Sequence, residues 1–193
     1  MNNCDKLLAM GISPDCSNPH VGGYEADGVI INRVAVDFDA SSREGNIISN
    51  LALKSGKKGF EIYQIGNSPY TGSNTAFTSG TYINKFTHQV NFLVFDHSAE
   101  CCQNVIDQMA NGQFLVVMKN KHAGSDGKSK YQVYGFESGL RMTECTHDQY
   151  SEDTDGGWAI ALQEVAPTSG LFLYSTSITA TEAAFQSLKS GGS

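Results

Sequence analysis

Nothing in this sequence approaches the roughly 20 consecutive apolar residues that a membrane-spanning helix requires; its apolar runs, Phe114-Leu115-Val116-Val117-Met118 among them, are only a few residues. Basic residues are scarce as well. Thirteen Lys and Arg stand against twenty Asp and Glu, a formal charge of −7, which argues against non-specific nucleic-acid binding, where cationic side chains must displace phosphate counterions. The first residues carry no basic segment followed by a long apolar one, so no export signal is read and assembly in a reducing cytoplasm is expected. Cysteine is sparse and odd in number: Cys4, Cys16, Cys101, Cys102 and Cys145. An odd count with two adjacent members in a helical pattern argues against a disulfide framework, and the cysteines read as small buried apolar residues. What is present is enough for a core. Hydrophobic residues make up 40% of the 193 and aromatics 10%, so the chain is not disordered and one domain is expected.

The organisation is mainly β. Residues 1–28 lack periodicity and carry Gly11, Pro14, Asn18-Pro19 and Gly22-Gly23, the marks of an irregular arm. A single β-rich domain is expected over 29–189, with 190–193 as a tail. Strands are predicted at 29–31, 34–36 and 47–53. The lysine-bearing turn 54–59 and a returning strand 60–65 suggest a hairpin over 47–65. The loop 66–80, rich in Asn, Ser, Thr and Gly, is long enough to be an interaction candidate. From 81 to 96, Tyr82, Phe86, Val90, Phe92 and Val94 alternate with polar residues, with His88 on the apolar face as a satisfied core or rim residue. This period of two predicts a strand long enough to project beyond the domain.

Ser98 offers an N-cap, and Cys102, Val105, Ile106 and Met109 follow helical spacing up to Asn111-Gly112, which puts Cys102 inside and Asp107 and Gln108 in water. A buried strand 114–118 follows, and then a polar turn whose Lys119, Lys121, Lys128 and Lys130 make one basic spot. Strands are expected at 131–136, from 140 to about 146, at 158–162 with Trp158 as a core anchor, and at 171–174. A short helix over 181–189 turns Ala184, Phe185 and Leu188 inward.

Catalytic signatures are weak. Glu144, Cys145, His147 and Asp148 hold a nucleophile, an imidazole and carboxylates, and Cys145 and His147 leave a strand on the same side, a spacing that chance also produces. No nucleotide-binding or serine-hydrolase motif occurs, so no enzyme activity and no cofactor are expected. The 151–157 loop spaces its carboxylates like a calcium loop but lacks the further ligands of an EF-hand. Cys4, Cys16 and His20 lack the paired knuckles of a zinc module, so no metal is expected.

The 131–175 stretch contains Tyr131-Gln132-Val133-Tyr134-Gly135-Phe136-Glu137-Ser138-Gly139-Leu140, then Met142-Thr143-Glu144, Gly156-Gly157-Trp158-Ala159-Ile160-Ala161-Leu162 and Leu171-Phe172-Leu173-Tyr174. It resembles virion structural proteins of crAss-like and related tailed bacteriophages. Leu53-Lys54-Ser55-Gly56-Lys57-Lys58-Gly59-Phe60 and Tyr82-Ile83-Asn84-Lys85-Phe86-Thr87-His88 are similar in flavour, so that the likeness covers about three quarters of the chain. The resemblance implies a β-sandwich or barrel with one packed helix, long projecting hairpin and loops and an extended N-terminal arm. It also implies a homo-oligomeric ring or tube in the tail or head-to-tail connector, assembled in the host bacterial cytoplasm. Its partners would be copies of itself, neighbouring virion proteins and genomic DNA that passes without specific binding; no membrane is involved.

Rings close by heterologous contacts, which projecting segments supply. Residues 1–28, 66–82 and 119–130 are the expected contacts, with Tyr70, Phe77, Tyr82, Lys85, Lys121 and Lys128 as interface candidates. Asp148, Glu152, Asp153 and Asp155 are the candidate lumen lining, where carboxylates repel phosphate; an ordinary solvated acidic loop is the competing reading. The alternative function is a β-sandwich binding module for carbohydrate or a host-surface ligand, with Tyr70, Phe77 or Tyr82 stacking on a sugar.

Overall fold

The computed structural model describes residues 8–63 and 72–190. Among these, eleven strands form two sheets: β1 (Tyr24–Asn32), β2 (Val36–Glu44), β3 (Ile47–Leu53), β4 (Phe60–Tyr63), β5 (Gly72–Thr78), β6 (Lys85–Val94), β7 (Phe114–Asn120), β8 (Tyr131–Tyr134), β9 (Arg141–His147), β10 (Trp158–Ala166) and β11 (Leu171–Leu173). The larger sheet runs β2-β3-β11-β8-β7-β1-β4 and the smaller β5-β6-β10-β9. The mainly β, sandwich-like architecture agrees with the sequence.

The apolar runs of β1 and β7 are continuous because the larger sheet is covered on both faces. Val29, Ile31, Leu115, Val117, Tyr131 and Val133 point to one side, where Phe185 and Leu188 of α3 (Ile178–Ser190) close the core. Ile30, Val116, Met118 and Tyr134 point to the other and meet Val90, Phe92, Ile160 and Leu162 of the smaller sheet. The layers are therefore helix, seven-stranded sheet and four-stranded sheet. α3 starts at Ile178, three residues before the expected point, because Ser177 caps it: its Oγ accepts from the Ala180 N–H at 3.1 Å.

Several expectations are corrected. Residues 33–35 are a 3-10 turn rather than part of a strand, with the Arg33 N–H bonded to the Gln113 carbonyl at 2.8 Å. That turn spans about 10 Å, while β1 and β2 stand five steps of about 4.8 Å apart in the strand order. The larger sheet accordingly curls back on itself around the first core. No hairpin joins β3 to β4. β3 pairs with β2 across the Gly45-Asn46 turn and with β11 in parallel, whereas β4 pairs with β1. Residues 54–59 cross over instead, passing the end of α3 where the Gly59 N–H bonds the Leu188 carbonyl at 2.7 Å. A Cβ at Gly59 would lie 2.5 Å from Val29, so only glycine permits this passage.

The long strand is β6 alone, ten residues from Lys85, and it leaves Tyr82 outside. Part of the expected 66–80 loop is β5, seven residues paired with β6 from Gly72↔Asn91 to Thr78↔Lys85. Sheet pairing also starts within the expected arm, at Tyr24↔Asn120. The central helix comprises α1 (Ala99–Cys101), a π-helical turn (Cys102–Ile106) and α2 (Asp107–Asn111), capped by Ser98 as expected. The wider π turn brings residues five apart to one side. Cys101 and Ile106 are therefore buried together, and Cys102, expected inside, is only half-buried.

Candidate functional site

β6 joins β10 over nine residue pairs that place His88 opposite Glu164, both buried on the inner face. Each is held by polar partners. The His88 Nε2 donates to the Thr168 carbonyl at 2.8 Å, which leaves Nδ1 to accept from the Thr75 hydroxyl of β5 at 2.9 Å. The Glu164 carboxylate accepts from the Gly135 N–H at 2.6 Å and from the Ser138 N–H at 3.3 Å. Gly135 makes that contact with φ +85°, and a Cβ there would sit 2.2 Å from the Phe114 carbonyl oxygen. Nearby, the Tyr134 hydroxyl lies 2.7 Å from that of Tyr24 and 2.8 Å from Ser73 Oγ. Burial, together with the Tyr24 phenol, pushes the Tyr134 hydroxyl well above its usual range. These groups satisfy one another, so their chemistry is that of a latch: Ser73 and Thr75 fasten the inner side of β5 to the sandwich.

The outer side of β5 differs. It is an edge of the four-stranded sheet, and an open edge invites another strand unless charge, proline or a covering element guards it. No charged residue occurs between Glu61 and Lys85. The other three outer strands are guarded: β2 carries Asp37, Asp39, Arg43 and Glu44, β4 carries Glu61, and β9 carries Arg141 and Glu144. At the end of β5 the Phe77 ring is 62% exposed and meets Phe86 edge-on at 6.0 Å. In the turn beyond it Tyr82 is 96% exposed, and Ile83 and Lys85 are exposed as well.

The structure thus brings Phe77, Tyr82 and Lys85 to one hairpin end, while Tyr70 lies outside the described residues. Lys121 and Lys128 sit elsewhere, in the 119–130 turn. There the expected basic spot is partly neutralised, with Lys119 paired to Glu182 at 2.9 Å and Lys128 to Asp126 at 3.3 Å. Asp148, Glu152, Asp153 and Asp155 are all exposed on the β9–β10 loop, turned by Asp155 at φ +50° and Gly156 at φ +71°. Asp153 borders a shallow hollow of about 240 Å³ on the outer face of the sheet with Asn91, Glu144 and Thr146.

Two weaker candidates find their places. Cys145 packs against the second core and burial raises its thiol, the opposite of what a thiolate nucleophile needs, while the His147 ring stacks on Trp158 at 4.4 Å. Of the zinc-like set, Cys4 lies outside the described residues, Cys16 is exposed, and the His20 ring lies 4.9 Å from that of His122. Among the described residues no three His, Cys, Asp or Glu side chains gather to hold a metal.

Sequence reasoning passed over the arm's own pattern. Leu8, Met10 and Ile12 alternate with Ala9, Gly11 and Ser13, which is strand periodicity, and they are 82%, 82% and 94% exposed. No family model, curated protein or solved structure matches the chain.

Proposed function

We propose that the chain is a structural subunit of a bacteriophage virion that assembles with copies of itself into a ring or tube of the tail or head-to-tail connector, through which DNA passes. The observation that carries this reading is where the exposed large apolar side chains fall. Of the fourteen exposed large apolar side chains among the described residues, seven fall on two segments, Leu8, Met10, Ile12 and Val21 on the arm and Phe77, Tyr82 and Ile83 at the end of the β5–β6 hairpin, and none of the seven belongs to either core. Apolar surface of this kind is removed from water by a partner or becomes an aggregation hazard. An arm and a hairpin end are different patches, and different patches meeting produce a heterologous contact, the kind that closes rings.

The acidic balance supports the DNA part of the reading. Asp148, Glu152, Asp153 and Asp155 gather four carboxylates on one exposed loop, which repels a phosphate backbone and lets it slide. Negative-stain images and light scattering of the purified full chain test the proposal. Closed rings or tubes of many copies are expected. A single-chain species at every concentration would remove its basis and bring forward glycan-array screening of the exposed Tyr82, the observation that favours a carbohydrate-binding module.

A further inference from the structure

We infer that the contact between copies is strand addition, in which residues 8–13 of one copy pair with the open edge of β5 in the next; this rests on the self-assembly reading above. Both halves lie on this chain and each lacks what the other supplies. Among the described residues nothing pairs with the outer side of β5, which offers backbone donors and acceptors along seven residues and is latched from behind by Ser73 and Thr75 so that the strand is fixed before anything docks. Residues 8–13 carry no helix or strand, and among the described residues no backbone hydrogen bond ties them to the body.

The side chains agree with the backbones. The register of β5 against β6 puts Ser73, Thr75 and Phe77 opposite the inward Val90, His88 and Phe86, leaving Asn74, Ala76 and Thr78 on the outer face. An added strand with Leu8, Met10 and Ile12 turned inward extends the apolar row that ends in exposed Phe77, and its Ala9, Gly11 and Ser13 continue the small outer row. Residues 7–14 are uncharged, as is all of β5, so no ionic group loses water on docking.

The arm has the reach. Pro14 ends the strand-like stretch, and the Asp15 carboxylate caps a turn by accepting from the Ser17 and Asn18 N–H groups at 3.1 Å each. His20 then lies against His122 on the body. With the turn at Asp15–Asn18 taking up three of the seven steps, His20 back to Ser13 spans up to about 20 Å, enough to present the arm to a neighbouring copy.

The test is complementation between two full-length variants. One carries Met10→Asp and Ile12→Asp in the arm, and the other Phe77→Lys, an inward-pointing charge on the edge. Each alone is expected to run as a single chain of 20.8 kDa in light scattering. Mixed one to one, they are expected to give a species of twice that mass, because the edge variant keeps an intact arm and the arm variant an intact edge. Circular dichroism and the thermal midpoint check that both fold, and Ala76→Lys on the exposed outer row replaces Phe77→Lys if its midpoint falls.

Variants that assemble as the wild type does would overturn strand addition while leaving the ring reading intact. A wild type that is itself a single chain would overturn both. Two single-chain variants that stay separate on mixing would show that the arm docks within its own copy or elsewhere, and would also overturn the inference.

Discussion

β7 and β5 are both seven residues long and are put to opposite uses. β7 is the interior strand of a sheet covered on both faces, and the side chains from Phe114 to Met118 are all buried. Among the described residues β5 has one neighbour, its side chains are small apart from Phe77, and residues from Asn74 to Thr78 are open to solvent. Burial contributes about 1.5–3 kcal/mol per large aliphatic side chain, so β7 belongs to what stabilises the fold. β5 is held by hydroxyl and imidazole contacts of about 1 kcal/mol each, and what it leaves open is its edge. Stability and interaction are separated strand by strand: β6 and β10 of the small sheet share the second core with the large sheet, while β5 at its edge adds no buried side chain.

Leu115→Ala tests the β7 side with the largest effect. Leu115 is fully buried against α3, so a loss of about 2–5 kcal/mol is expected, seen as a fall in thermal midpoint of roughly 10 °C. An unchanged midpoint would break the contrast. Thr75→Val comes next. It removes the hydroxyl that His88 Nδ1 accepts from, with an expected cost of about 1 kcal/mol, and amide exchange should quicken in 72–78 but not in 114–118. Equal acceleration in both segments would mean that the strands are not separable.

Lys119→Ala, at the polar end of β7, has the smallest effect. Its pair with Glu182 is partly exposed, and a cost below about 1 kcal/mol is expected. The facing Tyr131 hydroxyl and the Lys119 ammonium hold the Glu182 carboxyl below its ordinary 4.5. Because the folded value is depressed, this contribution is present above 4.5 and is lost as pH falls through the lower folded value. The difference between wild type and Lys119→Ala in urea titrations should therefore shrink on acidification below 4.5, and a difference that grew would contradict the assigned pair.

The same contrast explains what the sequence could and could not reveal. Phe114-Leu115-Val116-Val117-Met118 announces a buried strand by its own composition. Gly72-Ser73-Asn74-Thr75-Ala76-Phe77-Thr78 has weak strand propensity, and its extended form is imposed by seven pairings with β6. It therefore reads as loop. No β3–β4 hairpin forms because nearness in sequence does not ensure pairing: the Gly45-Asn46 turn, a hairpin signal in its own right, commits β3 to β2. Cys102 is turned partly outward by a π turn that helical spacing does not anticipate. Of the six candidate interface residues, Phe77, Tyr82 and Lys85 share one hairpin end because β5 pairs with β6, a pairing the sequence does not signal, while Lys121 and Lys128 lie elsewhere. Leu8, Met10 and Ile12 were hidden behind Gly11 and Pro14, which punctuate the arm as irregular.

The most direct measurement is amide hydrogen exchange of the full chain, followed peptide by peptide as protein concentration is raised. Residues 8–13 and 72–78 should gain protection together, while 141–147 in β9, the charged edge of the same sheet, and 114–118 in β7 stay as they are in dilute protein. Protection gained equally at both edges of the small sheet, or at neither, would contradict the claim that β5 is the edge built to receive a strand.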